Sequence, residues 1–157
     1  MKKRQSGAAA VEFALAATLF LTVLFAIIDF AQLFWVNLTM QHAVREGARY
    51  AVTGRTDGLD PSYPGPAGDR CSAAVEMIRE QSMGLFDRVS ANVTFGSVAD
   101  DGTITPIPSS GCYSAGQIIV VQVDSSAQVL TPFMLPLFPD GAYKFSVSTT
   151  MKNEDYK

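Results

Sequence analysis

The chain has 157 residues, room for one membrane helix and one small soluble domain but not for two full domains. Its net charge of -3 and pI near 5.0 exclude a global basic surface for nucleic acid. Residues Ala8 to Val36 hold two charges, Glu12 and Asp29, and the rest reads as ordinary soluble sequence.

The first seven residues are basic and short, with Lys2, Lys3 and Arg4 ahead of Gly7. From Phe13 to Ile28 there is no charge, proline or glycine. On a helix Glu12 and Asp29 stand roughly 26 Å apart, close to the hydrocarbon thickness of a bilayer. Both carboxylates can then sit near the interfaces, whereas a charge at the centre costs at least about 2.5 kcal/mol.

Helical spacing continues past the apolar run through Leu33, Val36, Met40, Ala43, Val44, Gly47, Ala48 and Ala51. Asn37, Gln41, Arg45 and Arg49 form a polar row at spacing four on another face. The pattern predicts one continuous helix from about Ala8 to about Val52. Small residues at 43, 47, 48 and 51 let another backbone approach, either the chain's own soluble domain or a second subunit. The basic start favours a cytoplasmic N-terminus, although Arg45, Arg49 and Arg55 lie on the other side.

A secretory signal would place small residues after the apolar run, but Asp29-Phe30-Ala31-Gln32-Leu33-Phe34-Trp35 is bulky there. A plain uncleaved anchor leaves Gly7 and Glu12 unexplained. A prepilin explains both. A peptidase cuts after Gly7 on the cytoplasmic side, and Ala8 becomes the N-terminus with Glu12 five residues in. A neighbouring subunit's new amine then neutralises a carboxylate that is expensive at the membrane edge. The plainer reading of Glu12 is an acid favoured at a helix start.

Gly-Ala-Ala-Ala-Val-Glu-Phe-Ala-Leu (7–15), Ile27-Ile28-Asp29-Phe30 and Ala43-Val44-Arg45-Glu46-Gly47-Ala48-Arg49-Tyr50 occur in this order. Together they resemble the TadE-like family across Gly7 to Tyr50. The resemblance implies a pseudopilin of a tight-adherence (Flp-type) pilus, processed at Gly7 and Ala8. It further implies Glu12 and Phe13 as assembly residues and Asp29, Arg45, Glu46, Gly47 and Arg49 as interaction candidates. The implied partners are a prepilin peptidase, other pilin-like subunits, the inner-membrane assembly platform and membrane lipid. Major Flp pilins are much smaller and usually carry Tyr after the glutamate, so Phe13 and about one hundred further residues indicate a minor component. The expected location is the bacterial inner membrane, with the head extracytoplasmic, at the pilus base or tip. The alternative is a membrane-anchored binding module that never enters a filament.

The expected division is a leader at 1–7, a helix at 8–54 and an extracytoplasmic α+β head at 55–157. Asp57 to Asp69 reads as a linker. Cys71, Ala74, Val75 and Ile78 mark one face of a short helix from about Arg70 to Ser82, with Asp69 as a cap and Gly84 near its close. Three strands are expected: one carrying Val89, Ala91, Val93 and Phe95, one at Gln117 to Asp124, and one at Tyr143 to Met151. A short helix on a three-stranded antiparallel sheet looks like a pilin-type head. Asp100 to Gly116 is expected to be irregular. A Cys71–Cys112 disulfide would suit an oxidising compartment.

Leu130 to Pro139, with three prolines, is neither strand nor long helix. It is either tucked over the sheet or an apolar patch for a partner, with Phe133, Met134 and Leu135 as the contact candidates. No enzyme, cofactor or metal site is expected. His42 is the single histidine and lies on the juxtamembrane helix, and no phosphate loop is present. Asp57, Asp60, Asp100 and Asp101 sit in turns without a calcium-loop pattern.

Overall fold

The computed structural model describes residues 6–53, 70–108 and 116–154. Helix α1 runs from Ser6 to Val52, 47 residues and about 70 Å. No proline interrupts it, and beyond the first turn Gly47 is its single glycine. A linker reading for residues 57–69 and a cap at Asp69 lie outside the described residues.

Helix α2 (Arg70–Gln81) buries Cys71, Ala73, Ala74 and Ile78, with Val75 partly covered. The chain then turns through Gly84, at φ 79, into a helix that sequence reasoning did not foresee, α3 (Leu85–Arg88). Ser82 holds this corner. Its hydroxyl donates to the Arg79 carbonyl at 2.6 Å and accepts the Phe86 amide at 3.1 Å. Leu85, Phe86 and Val89 are buried there, so Val89 closes a helical corner rather than opening a strand.

The sheet has four antiparallel strands, one more than expected, in the order β2-β1-β3-β4. These are β1 (Asn92–Val98), β2 (Ile104–Ile107), β3 (Ile118–Gln128) and β4 (Ala142–Lys152). β2 falls within the stretch expected to be irregular. It survives Pro106 because it is a short edge strand, where a missing N–H costs no ladder bond. Gly96 opposite it is needed, because a Cβ there would meet Ile104 Cγ2 at 2.8 Å. The β1–β2 turn closes with the Thr103 amide donating to Asp101 Oδ1 at 2.9 Å. Thr103's backbone amide, then its side chain, hold that carboxyl below the usual range. Asp101 is thus a turn residue, and Asp57 and Asp60 lie outside the described residues.

One sheet face builds the core. Val93 pairs with Val123 and Val123 with Val147, while Phe95 pairs with Val121. The alternation in β4 is realised as expected, with Phe145, Val147 and Met151 inward and Lys144, Ser146, Ser148 and Thr150 exposed. Against this face and α2 lies the far half of α1, where Leu33, Val36, Met40, Ala43, Val44, Ala48 and Ala51 are all buried. Asp29 to Val52 on α1 spans about 35 Å, and the 11 residues of β4 span about 36 Å. The two elements are matched in length. The Glu154 amide meets the Val52 carbonyl at the distal end, and Thr131 meets Asp29 at the other.

Candidate functional site

The near half of α1 is the part with no partner among the described residues. Among the described residues one helix is long and apolar enough to cross a membrane, and none of its most apolar window is buried in the protein. That fits a single-pass membrane anchor. Gly7, Ala8, Glu12 and Phe13 are exposed at its start. Glu12 makes no ion pair with any described residue. Thr18 and Thr22 donate their hydroxyls to the carbonyls four residues back, Ala14 and Thr18, both at 2.8 Å. Their polar atoms are therefore satisfied within the helix, as lipid requires.

Asp29 ends this stretch, and its neighbourhood changes abruptly. It is 1% exposed, with the Thr131 hydroxyl donating to Oδ2. Oδ1 is buried and finds no hydrogen-bond partner among the described residues. The bond ties α1 to the start of the proline-rich loop across 102 residues of sequence.

In the Arg45 to Arg49 block the structure separates roles that the sequence left together. Arg45 and Arg49 are exposed on the polar row, and Glu46 is half-buried. Asn37 and Gln41 of the same row bond to each other at 2.6 Å. Gly47 is different. It faces α2, where an added Cβ would lie 2.3 Å from Ile78 Cγ1 and 2.8 Å from the Ala74 carbonyl oxygen. With Ala43, Ala48 and Ala51 fully buried, the small-residue stripe packs against the chain's own head.

The proline-rich loop is a 3-10 helix, Pro132–Leu137, followed by a second short one, Pro139–Gly141. It is partly tucked in and partly exposes apolar side chains. Met134 is buried, and so corrects its reading as an exposed contact residue. Leu130, Leu135 and Leu137 point outward at 61%, 44% and 69% exposure. Phe138 packs inward, edge-on to Tyr143 at 6.2 Å. Nothing is described for the Phe133 side chain. An apolar groove of about 750 Å³ opens between this loop and α1, lined by Phe30, Leu33, Phe34, Phe138 and Tyr143 among others. Sequence reasoning missed Leu137 and Thr131, although Leu137 stands in the same apolar run as Phe133 to Leu135.

Cys71 is fully buried and shares a shallow groove with Pro106 and Ile107. Cys112 lies outside the described residues.

No curated protein and no solved structure matches the chain. Residues 7–49, from the exposed glycine through the Arg-Glu-Gly-Ala-Arg block, match the family model described as TadE-like protein, so this segment of the chain is similar to that family.

Proposed function

We propose that the chain is a minor pseudopilin in the assembly of a tight-adherence (Flp-type) pilus, a structural component rather than an enzyme. The observation that carries this reading is the division of α1. Its far half is consumed by the chain's own head, while its near half, from Gly7 to Ile28, is bare and bears at its start one carboxylate that makes no ion pair among the described residues. The TadE-like match over 7–49 supports the same reading. In this proposal a prepilin peptidase cuts between Gly7 and Ala8. The chain stands in the inner membrane with its head extracytoplasmic, and the bare helix meets other pilin-like subunits and the assembly platform.

N-terminal sequencing of membrane-purified protein from piliated cells is expected to read Ala8-Ala9-Ala10. Gly7→Leu should leave the full-length precursor, because a bulky side chain does not fit a subsite that takes glycine. Retention of Met1 in the wild-type protein would overturn the pseudopilin reading and leave a plain membrane-anchored module.

A Cys71–Cys112 disulfide belongs to the same proposal, since it requires an oxidising compartment. Ile107 lines the same groove as Cys71, and Cys112 follows it by five residues in the sequence. Such a bridge stabilises by about 2–4 kcal/mol. Alkylation of denatured, non-reduced protein is expected to leave both cysteines unlabelled, and two labelled cysteines would disprove the bridge.

A further inference from the structure

The bare apolar surface of α1 does not stop at Asp29. Exposed large apolar side chains run from Val11 to Leu38 and include Phe30, Phe34 and Trp35. That is 27 helical steps, or about 40 Å. This length matches a bilayer with its headgroup layers rather than the hydrocarbon core alone, which is about 30 Å. Val11 to Asp29 takes up about 27 Å of it, close to the hydrocarbon core alone, so the helix from Phe30 to about Trp35 lies within one interfacial layer. Trp35 sits there as aromatic side chains do at membrane boundaries.

The head shares that layer, because it docks on the opposite face of the same helix segment through Leu33 and Val36. The Thr131–Asp29 bond fixes the depth of the proline-rich loop at the edge of the hydrocarbon. At that depth the loop exposes Leu130, Leu135 and Leu137. Just beyond them comes the Asp140–Lys144 ion pair at 2.9 Å, both partners largely exposed. Exposed apolar residues next to exposed charged ones are the composition of an interfacial segment.

We infer that the head is seated in the membrane, with the Pro132–Leu137 turn acting as a second, shallow lipid-inserting element beside the spanning helix. The occupant of this apolar surface is the lipid interface, because the surface is continuous with the span and fixed at its edge. The inference rests on reading α1 as membrane-spanning, and the test separates the two.

Trp35 is the single tryptophan, so a Trp35→Phe background accepts one reporter at a time. Leu137→Trp reports the loop, Leu19→Trp the span, and Ala99→Trp the distal β1–β2 turn. Full-length protein is reconstituted into phosphatidylcholine vesicles whose acyl chains are brominated either near the headgroup or near the chain end. The Leu137→Trp reporter is expected to be quenched at least twofold more by shallow bromines than the Ala99→Trp reporter. The Leu19→Trp reporter should be quenched most by deep bromines. Quenching at Leu19→Trp without excess quenching at Leu137→Trp would overturn the inference and mean that the loop is water-exposed or covered by protein. Absence of quenching at Leu19→Trp would overturn the membrane-spanning reading itself.

Discussion

Gly47→Val is expected to lower the melting temperature of the head by roughly 12 °C or more in detergent micelles, followed by near-ultraviolet circular dichroism. Two effects oppose each other at this position. Glycine inside a helix costs about 1 kcal/mol relative to alanine, so any side chain gains something in α1. Against this, the first added carbon lands 2.3 Å from Ile78 Cγ1 and 2.8 Å from the Ala74 carbonyl oxygen. Ile78 is fully buried and branched close to its backbone, and the carbonyl belongs to α2 itself, so neither can swing aside. Overpacking of this kind costs about 1–3 kcal/mol or more. Gly47→Ala should therefore come out net destabilising by about 1 kcal/mol, or roughly 4–8 °C for a domain of this size. Valine adds two methyls in the same space and loses most of the helix-propensity gain, which puts it at about 3 kcal/mol. His42→Ala, on the exposed face, should move the transition little. An unchanged or raised transition for both Gly47 variants would mean that α1 and α2 do not pack here and that the stripe is free for another subunit.

Replacing Glu12 with glutamine should leave membrane insertion and leader removal near normal but reduce association with other pilin-like subunits about 100-fold or more. Glutamine nearly preserves shape and hydrogen-bonding capacity, so the change isolates the charge. If Glu12 only favours the helix start, it is worth about 0.3–1 kcal/mol and its loss barely registers. If it neutralises the new amine of a neighbouring Ala8, its loss strands a cation at low dielectric, at about 3–5 kcal/mol. Each 1.4 kcal/mol is a factor of ten in association, so the two cases are well separated. The chain itself supplies Glu12 with no described counter-charge. Co-purification with the other subunits and a count of surface pili read the outcome. Unchanged association with normal piliation would return Glu12 to its plainer role.

How much of this could be read beforehand depended on whether the signal was local. The alternation of Tyr143 to Met151 against Lys144 to Thr150 is local, and β4 follows it. So is the apolar run of Ile118 to Val123, although β3 continues through the polar Asp124-Ser125-Ser126 because β4 pairs with it there. β2 was hidden by Pro106, a residue that argues against a central strand but not against an edge. The Asp100-Asp101-Gly102 turn was the available clue to it. Helix α3 is four residues long and carries no periodicity to detect. At the candidate site, the bare helix and Glu12 were legible because charge and apolarity are properties of the sequence itself. The partner of Asp29 was not, since Thr131 lies 102 residues away and only the folded sheet brings it there. Which way the small-residue stripe faces was likewise undecidable from spacing, because a chain's own helix and a neighbour's need the same small side chains.

The continuity of α1 gives the molecule a mechanical character. A 47-residue α-helix without proline is a stiff rod, and its one weak point outside the first turn, Gly47, is splinted by Ile78 and the Ala74 backbone. No hinge separates the membrane half from the half embedded in the head. An axial push or pull on the span therefore displaces the head as a piston displaces its crown, with the load carried as shear along the alanine-lined seam. Rotation of the span about its own axis turns the sheet by the same angle. The head's position is a direct readout of where the membrane helix stands.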